Sequence, residues 1–352
     1  MNSKNTSVLR TYFGADGKEP SARWIIPRSR EWLTRPALAL ESQAEAQLKF
    51  LLRNCEISNG IEQAVRDLLA QKHRHDVLEN CLRELEEDES IDAVGYGGAP
   101  NILGVIELDA SFMDGNNRSV GAVAAVQKFL PIKIARRLMD TRLHTLLVGP
   151  GAERFAFDCG LKSEPTLAPA QYKKWEQDVK PLLGSHNSRL LDLVAQLTAP
   201  RKEAFDTIIM VVSDGRGLSS ASSTSGWPWK HPGRLGDAPI PGAGFYVDSR
   251  FGWCGCTHTG EMVMRAGIAR YVVTQLEFGK GVHEAVGNAV KDLAALTGGL
   301  IGGVTIHAAD RDGNARVVAV NVSDTVHYWY WCETMAHPQR RRAEHIGISP
   351  IG

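Results

Sequence analysis

Between positions 61 and 89 the apolar residues recur with helical spacing. Ile61, Val65, Leu68 and Leu69 share one stripe, and Val77, Cys81, Leu82 and Leu85 form a second; the polar run KHRHD between them predicts a break. The acidic EEDES that closes this pattern reads as a solvated helix end. Beyond residue 90 the texture changes to short apolar runs punctuated by glycine. AVGYGG, GVIELDASFMDG and SVGAVAAV predict strands with tight turns, PIKIARRLMD a short amphipathic helix, and HTLLVG a buried strand. GAERFAFDCG opens another helix, which Gly160 is suited to stop. From 162 to 205 strand signals vanish, and polar residues, proline and weak helix predict a mobile connection. That connection ends abruptly at a hairpin pattern: TIIMVVS, the turn DGRG, then LSSASSTS. Two long amphipathic helices are expected over roughly 260–278 and 282–296, followed by a last hairpin, GGVTIHAAD and ARVVAVNV, turning at DRDGN. Strands and helices in both halves predict one layered α/β unit rather than two independent domains.

Composition changes this picture little. The chain has 352 residues, 43% of them hydrophobic, enough for a substantial core. Forty Lys and Arg balance forty Asp and Glu, so no global field steers it towards nucleic acid or an anionic membrane. No apolar run has the length of a signal peptide or a bilayer span, and a cytoplasmic location is the expectation. The six cysteines, Cys55, Cys81, Cys159, Cys254, Cys256 and Cys332, are scattered, as reduced thiols would be. Residues 1–50, rich in Arg, Pro and Ser at their start, read as an N-terminal extension.

Candidate chemistry concentrates after the connection. Thr207 begins a strand directly behind a segment suited to being cut, with Asp206 before it. A threonine hydroxyl is a poor nucleophile unless a base lies beside it, and a free α-amine on the same residue is such a base. The stretch 222–261 is dense in Gly and Pro, as a loop that passes close to a ligand would be. Within it Arg234 offers a fork for a carboxylate and Asp237 a partner for an ammonium; the plainer alternative is an Arg234–Asp237 ion pair internal to the loop.

In this order and spacing, DTIIMVV, SSTSG, PGRLGDAPIPGAGFYVD and THTGE, with VGYGGAPNILGVIELDASFMDG and HTLLVG upstream, resemble the glycosylasparaginases. The likeness covers about 61–161 and 206–322. It implies a four-layer αββα N-terminal-nucleophile fold shared with isoaspartyl peptidases and plant-type asparaginases. It divides the chain into 51–206, an α-subunit half, and 207–352, a β-subunit half. It further implies self-cleavage between Asp206 and Thr207, with Thr207 as nucleophile and base and Thr224 as its orienting hydroxyl. Arg234 and Asp237 would bind the aspartyl head group, Thr257 and the backbone N–H of His258 the oxyanion, and Gly260 would complete the substrate loop. The reaction implied is hydrolysis of the side-chain amide of asparagine conjugates, foremost N4-(β-N-acetylglucosaminyl)-L-asparagine, by a dimer of cleaved protomers with no cofactor and no metal. Isoaspartyl dipeptides or asparagine as substrates, or an uncleaved inactive homologue, are the alternatives.

Four departures from that pattern stand out. Phe205 replaces His before the cleavage-site Asp; Ile209 replaces Gly two residues after the nucleophile; His258 replaces Gly in the oxyanion loop; and the early Trp-bearing strand with its Gly-Gly has no counterpart. Ile209 is expected to crowd its strand face, and His258 to resist a positive φ. Elsewhere the plain readings are preferred. Cys254, Cys256 and His258 alternate on one strand face but lack a fourth zinc ligand. His73, His75 and Asp76 give no better site, and AADRDGN is a hairpin turn without the Glu of a calcium loop. Arg340–342 read as a solvated tail, and HYWYW (327–331) as a packed strand.

Overall fold

A computed structural model of the chain describes residues 47–54, 59–184, 189–197 and 207–348. Phe205 and Asp206, the extension before residue 47 and Cys55 lie outside the described residues.

The chain order begins with β1 (Lys49–Asn54), α1 (Ile61–Leu69), α2 (Arg74–Glu87), β2 (Leu108–Asp114), β3 (Ser119–Val126), α3 (Pro131–Thr141), β4 (Leu146–Val148) and α4 (Pro150–Asp158). Then come α5 (Pro169–Asp178), α6 (Leu190–Leu197), β5 (Thr207–Asp214), β6 (Leu218–Thr224), β7 (Phe245–Asp248) and β8 (Gly252–His258). The last elements are α7 (Gly260–Ala266), α8 (Ile268–Glu277), α9 (Val282–Ala294), β9 (Val304–Asp310), β10 (Ala315–Val320), β11 (His327–Cys332), β12 (Gln339–Arg342) and β13 (Glu344–Ile346).

Two sheets stack face to face. One runs β12-β11-β1-β5-β6-β2-β3-β4 and the other β13-β10-β9-β8-β7. Period-two alternation sorts the side chains between layers. On β5, Ile208, Met210 and Val212 enter the core beneath α1–α4. Ile209 and Val211 turn the other way, into the core between the sheets with Phe245 and Trp253. On the far side α7–α9 cover Cys254, Cys256, Ile306 and Val318. Helix, sheet, sheet, helix is the αββα arrangement that the resemblance implied.

The two proposed halves are woven through one sheet. Central β5 pairs with β1 on one side and β6 on the other, and β6 pairs with β2. With the pairing of β1 to β11, a cut ahead of Thr207 would therefore leave fragments bound by three ladders.

Several expectations need correction. AVGYGG is not a strand: residues Gly95–Gly97 form a 3-10 turn. A Cβ on Gly95, which has φ +55°, would lie 2.1 Å from the Glu86 carbonyl oxygen, so this segment is glycine-rich for close approach to α2. HTLLVG does contain a strand, β4, but it is the sheet's exposed margin, not a buried run. The expected helix over 260–278 is two, because Gly267 at φ +59° turns the chain between α7 and α8. Arg340–342 are no tail: with Gln339 they form β12 against β11, and the Arg341 guanidinium lies 4.2 Å from the Tyr330 ring centroid. HYWYW is β11, packed between β1 and β12. In the connecting segment the described part includes α5 and α6, whose Trp175, Leu193 and Val194 pack with Ile102 and Trp229. No helix among the described residues is long and apolar enough to cross a membrane.

A buried carboxyl underlies the central sheet. Glu86 on α2 accepts hydrogen bonds from Ser223 Oγ (2.6 Å) and the Ile132 N–H (3.1 Å), and burial pushes its carboxyl from 4.5 up to about 8. A carboxyl raised on folding contributes stability that is complete below pH 4.5 and lost as pH climbs through 8. Melting temperature should fall across that window in the parent chain, by roughly 5 °C or more, and stay flatter in Glu86→Gln. Thermal melts at pH 5 and pH 8.5 check this; equal slopes would contradict the burial argument.

Candidate active site

Thr207 opens β5 and is buried at the margin of the inter-sheet core. Its register partner on β6 is Thr224, and the Thr207 Oγ1 hydroxyl donates to Thr224 Oγ1 at 3.2 Å. Thr224 Oγ1 also accepts the Gly226 N–H at 2.9 Å. The two hydroxyls are thus fixed by adjacent ladder positions and by the first turn after β6.

Asn54, at the end of β1, holds the backbone on the other side. Its Nδ2 donates to the Thr207 carbonyl (2.7 Å), and its Oδ1 accepts the Ile209 N–H (2.7 Å). Sequence reading missed this clamp. Only the pairing of β1 with β5 brings residues 153 positions apart into contact.

Ile209 does not crowd its neighbours as expected. Its Cδ1 lies 2.3 Å from where a Cβ on Gly255 would stand, so β8 makes room for the branched side chain by carrying none there. Gly255→Ala is therefore expected to cost about 1–3 kcal/mol. Combining it with Ile209→Gly should recover part of that loss, and denaturant midpoints of the four proteins check the coupling.

The loop after β6 carries the charged groups. Arg234 pairs with Glu261, at the start of α7. Its Nε and Nη2 grip Glu261 Oε1 and Oε2 at 3.0 Å each, and its guanidinium stacks on Trp227 at 4.6 Å. Nη1 lies beside Gly226 and Gly236; Cβ atoms there would come within 3.3 and 3.2 Å of it. Asp237 instead abuts the start of α7, where a Cβ on Gly260 would meet Asp237 Oδ1 at 2.6 Å. Gly260 and Glu261 thus tie both charged residues to one helix start. Ser111 and Ser222 Oγ both donate to the Ala238 carbonyl (2.9 and 3.0 Å), which fastens this loop to the first sheet. Upstream, buried Lys230 donates to the Glu107 carbonyl (2.9 Å), while the Glu107 carboxylate accepts the Gly233 N–H at 3.0 Å. Sequence reading passed over Lys230, Glu107 and Glu261.

Thr257 and His258 end β8. His258 has φ +84°, so this position does adopt the left-handed backbone that histidine disfavours. Its carbonyl accepts the Trp227 Nε1–H at 3.2 Å, which links the oxyanion-loop candidate to the residue stacked on Arg234. Its Nδ1 lies 2.9 Å from Thr257 Oγ1. Burial lowers the imidazole to about 4, so near neutral pH the ring is uncharged. The other two members of the candidate zinc face, Cys254 and Cys256, are buried in the core under α7–α9.

The sequence-derived residues thus form one connected chain of contacts. Thr207 and Thr224 touch; Gly226, bonded to Thr224, borders the Arg234 guanidinium; and Trp227 bridges Arg234 to His258.

Comparison with known proteins places the chain in context. Residues 39–337 match the family model described as asparaginase. An N(4)-(beta-N-acetylglucosaminyl)-L-asparaginase of Elizabethkingia miricola is 35% identical over 63% of this chain and 62% of its own length. An isoaspartyl peptidase/L-asparaginase of Mus musculus is 34% identical over 76% of this chain and 79% of its own. A putative N(4)-(beta-N-acetylglucosaminyl)-L-asparaginase of Drosophila erecta is 32% identical over 68% of this chain and 66% of its own.

Proposed function

The chain belongs to the asparaginase family and is a hydrolase of the N-terminal-nucleophile class; from that premise we propose that it cleaves the side-chain amide of asparagine conjugates after cutting itself between Asp206 and Thr207. The leading substrate is N4-(β-N-acetylglucosaminyl)-L-asparagine, with aspartate and the glucosaminylamine as products. The observation that carries this reading is the Thr207–Thr224 hydroxyl pair at a strand start, 3.2 Å apart, with the backbone gripped by Asn54.

In this mechanism the freed α-amine of Thr207 takes the proton from its own Oγ1 as that oxygen attacks the amide carbonyl. The tetrahedral oxyanion is held by the Thr257 hydroxyl and the His258 N–H. Such donors are worth about 3 kcal/mol each in other hydrolases. The carbon–nitrogen bond breaks and the α-ammonium returns its proton to the leaving amine. Water, activated by the same amine, then splits the Thr207 ester, releases the β-carboxyl of aspartate and restores the hydroxyl. Arg234 Nη1 receives the α-carboxylate of the substrate and Asp237 its α-ammonium, with Gly260 leaving the room that a side chain would fill.

All three substrate classes share the aspartyl head, so Arg234 and Asp237 do not choose among them. Steady-state rates on the glycosyl-asparagine, a β-aspartyl dipeptide and free asparagine rank the classes. Highest kcat/KM on the first supports the leading reading; preference for the dipeptide moves the assignment to an isoaspartyl peptidase. Inactivity on all three, in a chain that stays whole, leaves an uncleaved homologue. The reading takes the working unit to be a cytoplasmic dimer of cleaved protomers, which light scattering and cell fractionation address.

A further inference from the structure

His258 stands where the resemblance expects glycine, and it does so in a backbone conformation that costs histidine free energy, at φ +84°. Glycine would adopt that conformation without strain and keep the same backbone N–H. The imidazole that the strain supports is buried and points back along the chain to the Thr257 hydroxyl, 2.9 Å away.

Hydrogen-bond directionality gives that contact a consequence. A threonine hydroxyl has one proton and accepts at its lone pairs. If Thr257 gives its proton to Nδ1, it has none for an oxyanion. If Nδ1 carries the proton and donates, the Thr257 O–H is left to point at the substrate and is polarised towards it. A neutral ring has one N–H, so its tautomer decides between the two cases.

We propose that His258 is a positioning residue whose Nδ1–H donates to Thr257 Oγ1 and so directs the Thr257 hydroxyl at the developing oxyanion. This rests on the amidohydrolase reading of the same site. Two contacts keep the backbone that carries the ring in place. The Trp227 indole N–H holds the His258 carbonyl, and β8 pairing sets His258 opposite Val304. Groups among the described residues that bear on the ring include the Thr257 backbone, which raises its pKa by a hydrogen bond, Asp324, and the buried His307 on β9.

The test separates side chain from backbone. His258→Gly keeps the φ and the N–H but removes the imidazole; His258→Asn tolerates a positive φ and still offers an N–H to Thr257. With cleaved fractions of each protein, kcat for His258→Gly is expected to fall roughly 10- to 50-fold with KM within about twofold, and His258→Asn to recover to within about threefold of the parent. A glycine variant as fast as the parent or faster, as relief of strain alone requires, overturns the proposal. So does an asparagine variant as slow as the glycine one. Nitrogen-15 NMR of the His258 ring in the full chain is independent of turnover. The Nδ1–H tautomer is expected, and the Nε2–H tautomer overturns the proposal even if the parent hydrolyses none of the three substrates.

Discussion

Thr207→Ala is expected to abolish both self-cleavage and hydrolysis. Without the hydroxyl, neither the Asp206–Thr207 peptide nor a substrate amide has an attacking oxygen, and loss of a nucleophile that acts as a unit with its base costs on the order of 10⁴-fold or more in kcat. The fold should survive. Thr207 sits at the first position of β5, and the backbone contacts with Asn54 do not use its side chain. Gel electrophoresis should show one full-length band, unchanged by long incubation, with a melting curve like that of the uncleaved parent. Thr207→Ser keeps an oxygen and should retain part of both activities. Cleaved, active Thr207→Ala protein would remove Thr207 from the mechanism.

Arg234→Ala should have the second largest effect. The guanidinium is held in place by Glu261 and by the Trp227 face, and Nη1 is directed to the glycine-lined side of the loop. Removing it deletes a charge-assisted contact to the substrate carboxylate and leaves Glu261 partly buried without its partner, which itself repels that carboxylate. A loss of about 10²–10³-fold in kcat/KM is expected, carried chiefly by KM, on every substrate with an aspartyl head. Arg234→Lys should recover little, because an ammonium cannot bind Glu261 in a fork and present a third nitrogen as well. Autocleavage should proceed normally, since the peptide bond before Thr207 involves no substrate carboxylate. An Arg234→Ala protein with unchanged KM would place the head-group site elsewhere.

The contrast between these variants reflects what the sequence made legible. Placements that depend on near neighbours in the chain could be read directly. The strand start at Thr207 and the hairpin that brings Thr224 opposite it follow from local pattern and a short turn. The proposed head-group role of Arg234 and Asp237 comes from residue type and resemblance, whereas the Arg234–Glu261 pair was not foreseen. Residues that act through tertiary pairing were not legible. Asn54 reaches Thr207 only because β1 lies beside β5, and Gly255 accommodates Ile209 only because the second sheet stacks on the first. Trp227, which no local pattern singles out, contacts both Arg234 and His258.

Two misreadings have a common cause. Periodicity carried the helix through 260–278 because the residues around Gly267 fit the stripe, while a single left-handed glycine sets α8 at a new angle. Hydrophobic content called HTLLVG buried, but β4 caps the sheet as its outermost strand, where leucine and valine remain exposed. Pattern reports what a segment is able to form; position in the sheet decides what it covers.

The central claim is that a free amine at residue 207 activates the hydroxyl on the same residue. Mass spectrometry of the purified chain, under native and then denaturing conditions, tests it most directly. The expected result is a native species of full mass that separates in denaturant into two fragments, the second beginning at Thr207, with hydrolysis rising in step with the cleaved fraction. An intact chain that hydrolyses substrate, or a cleavage point away from residue 207, would contradict it.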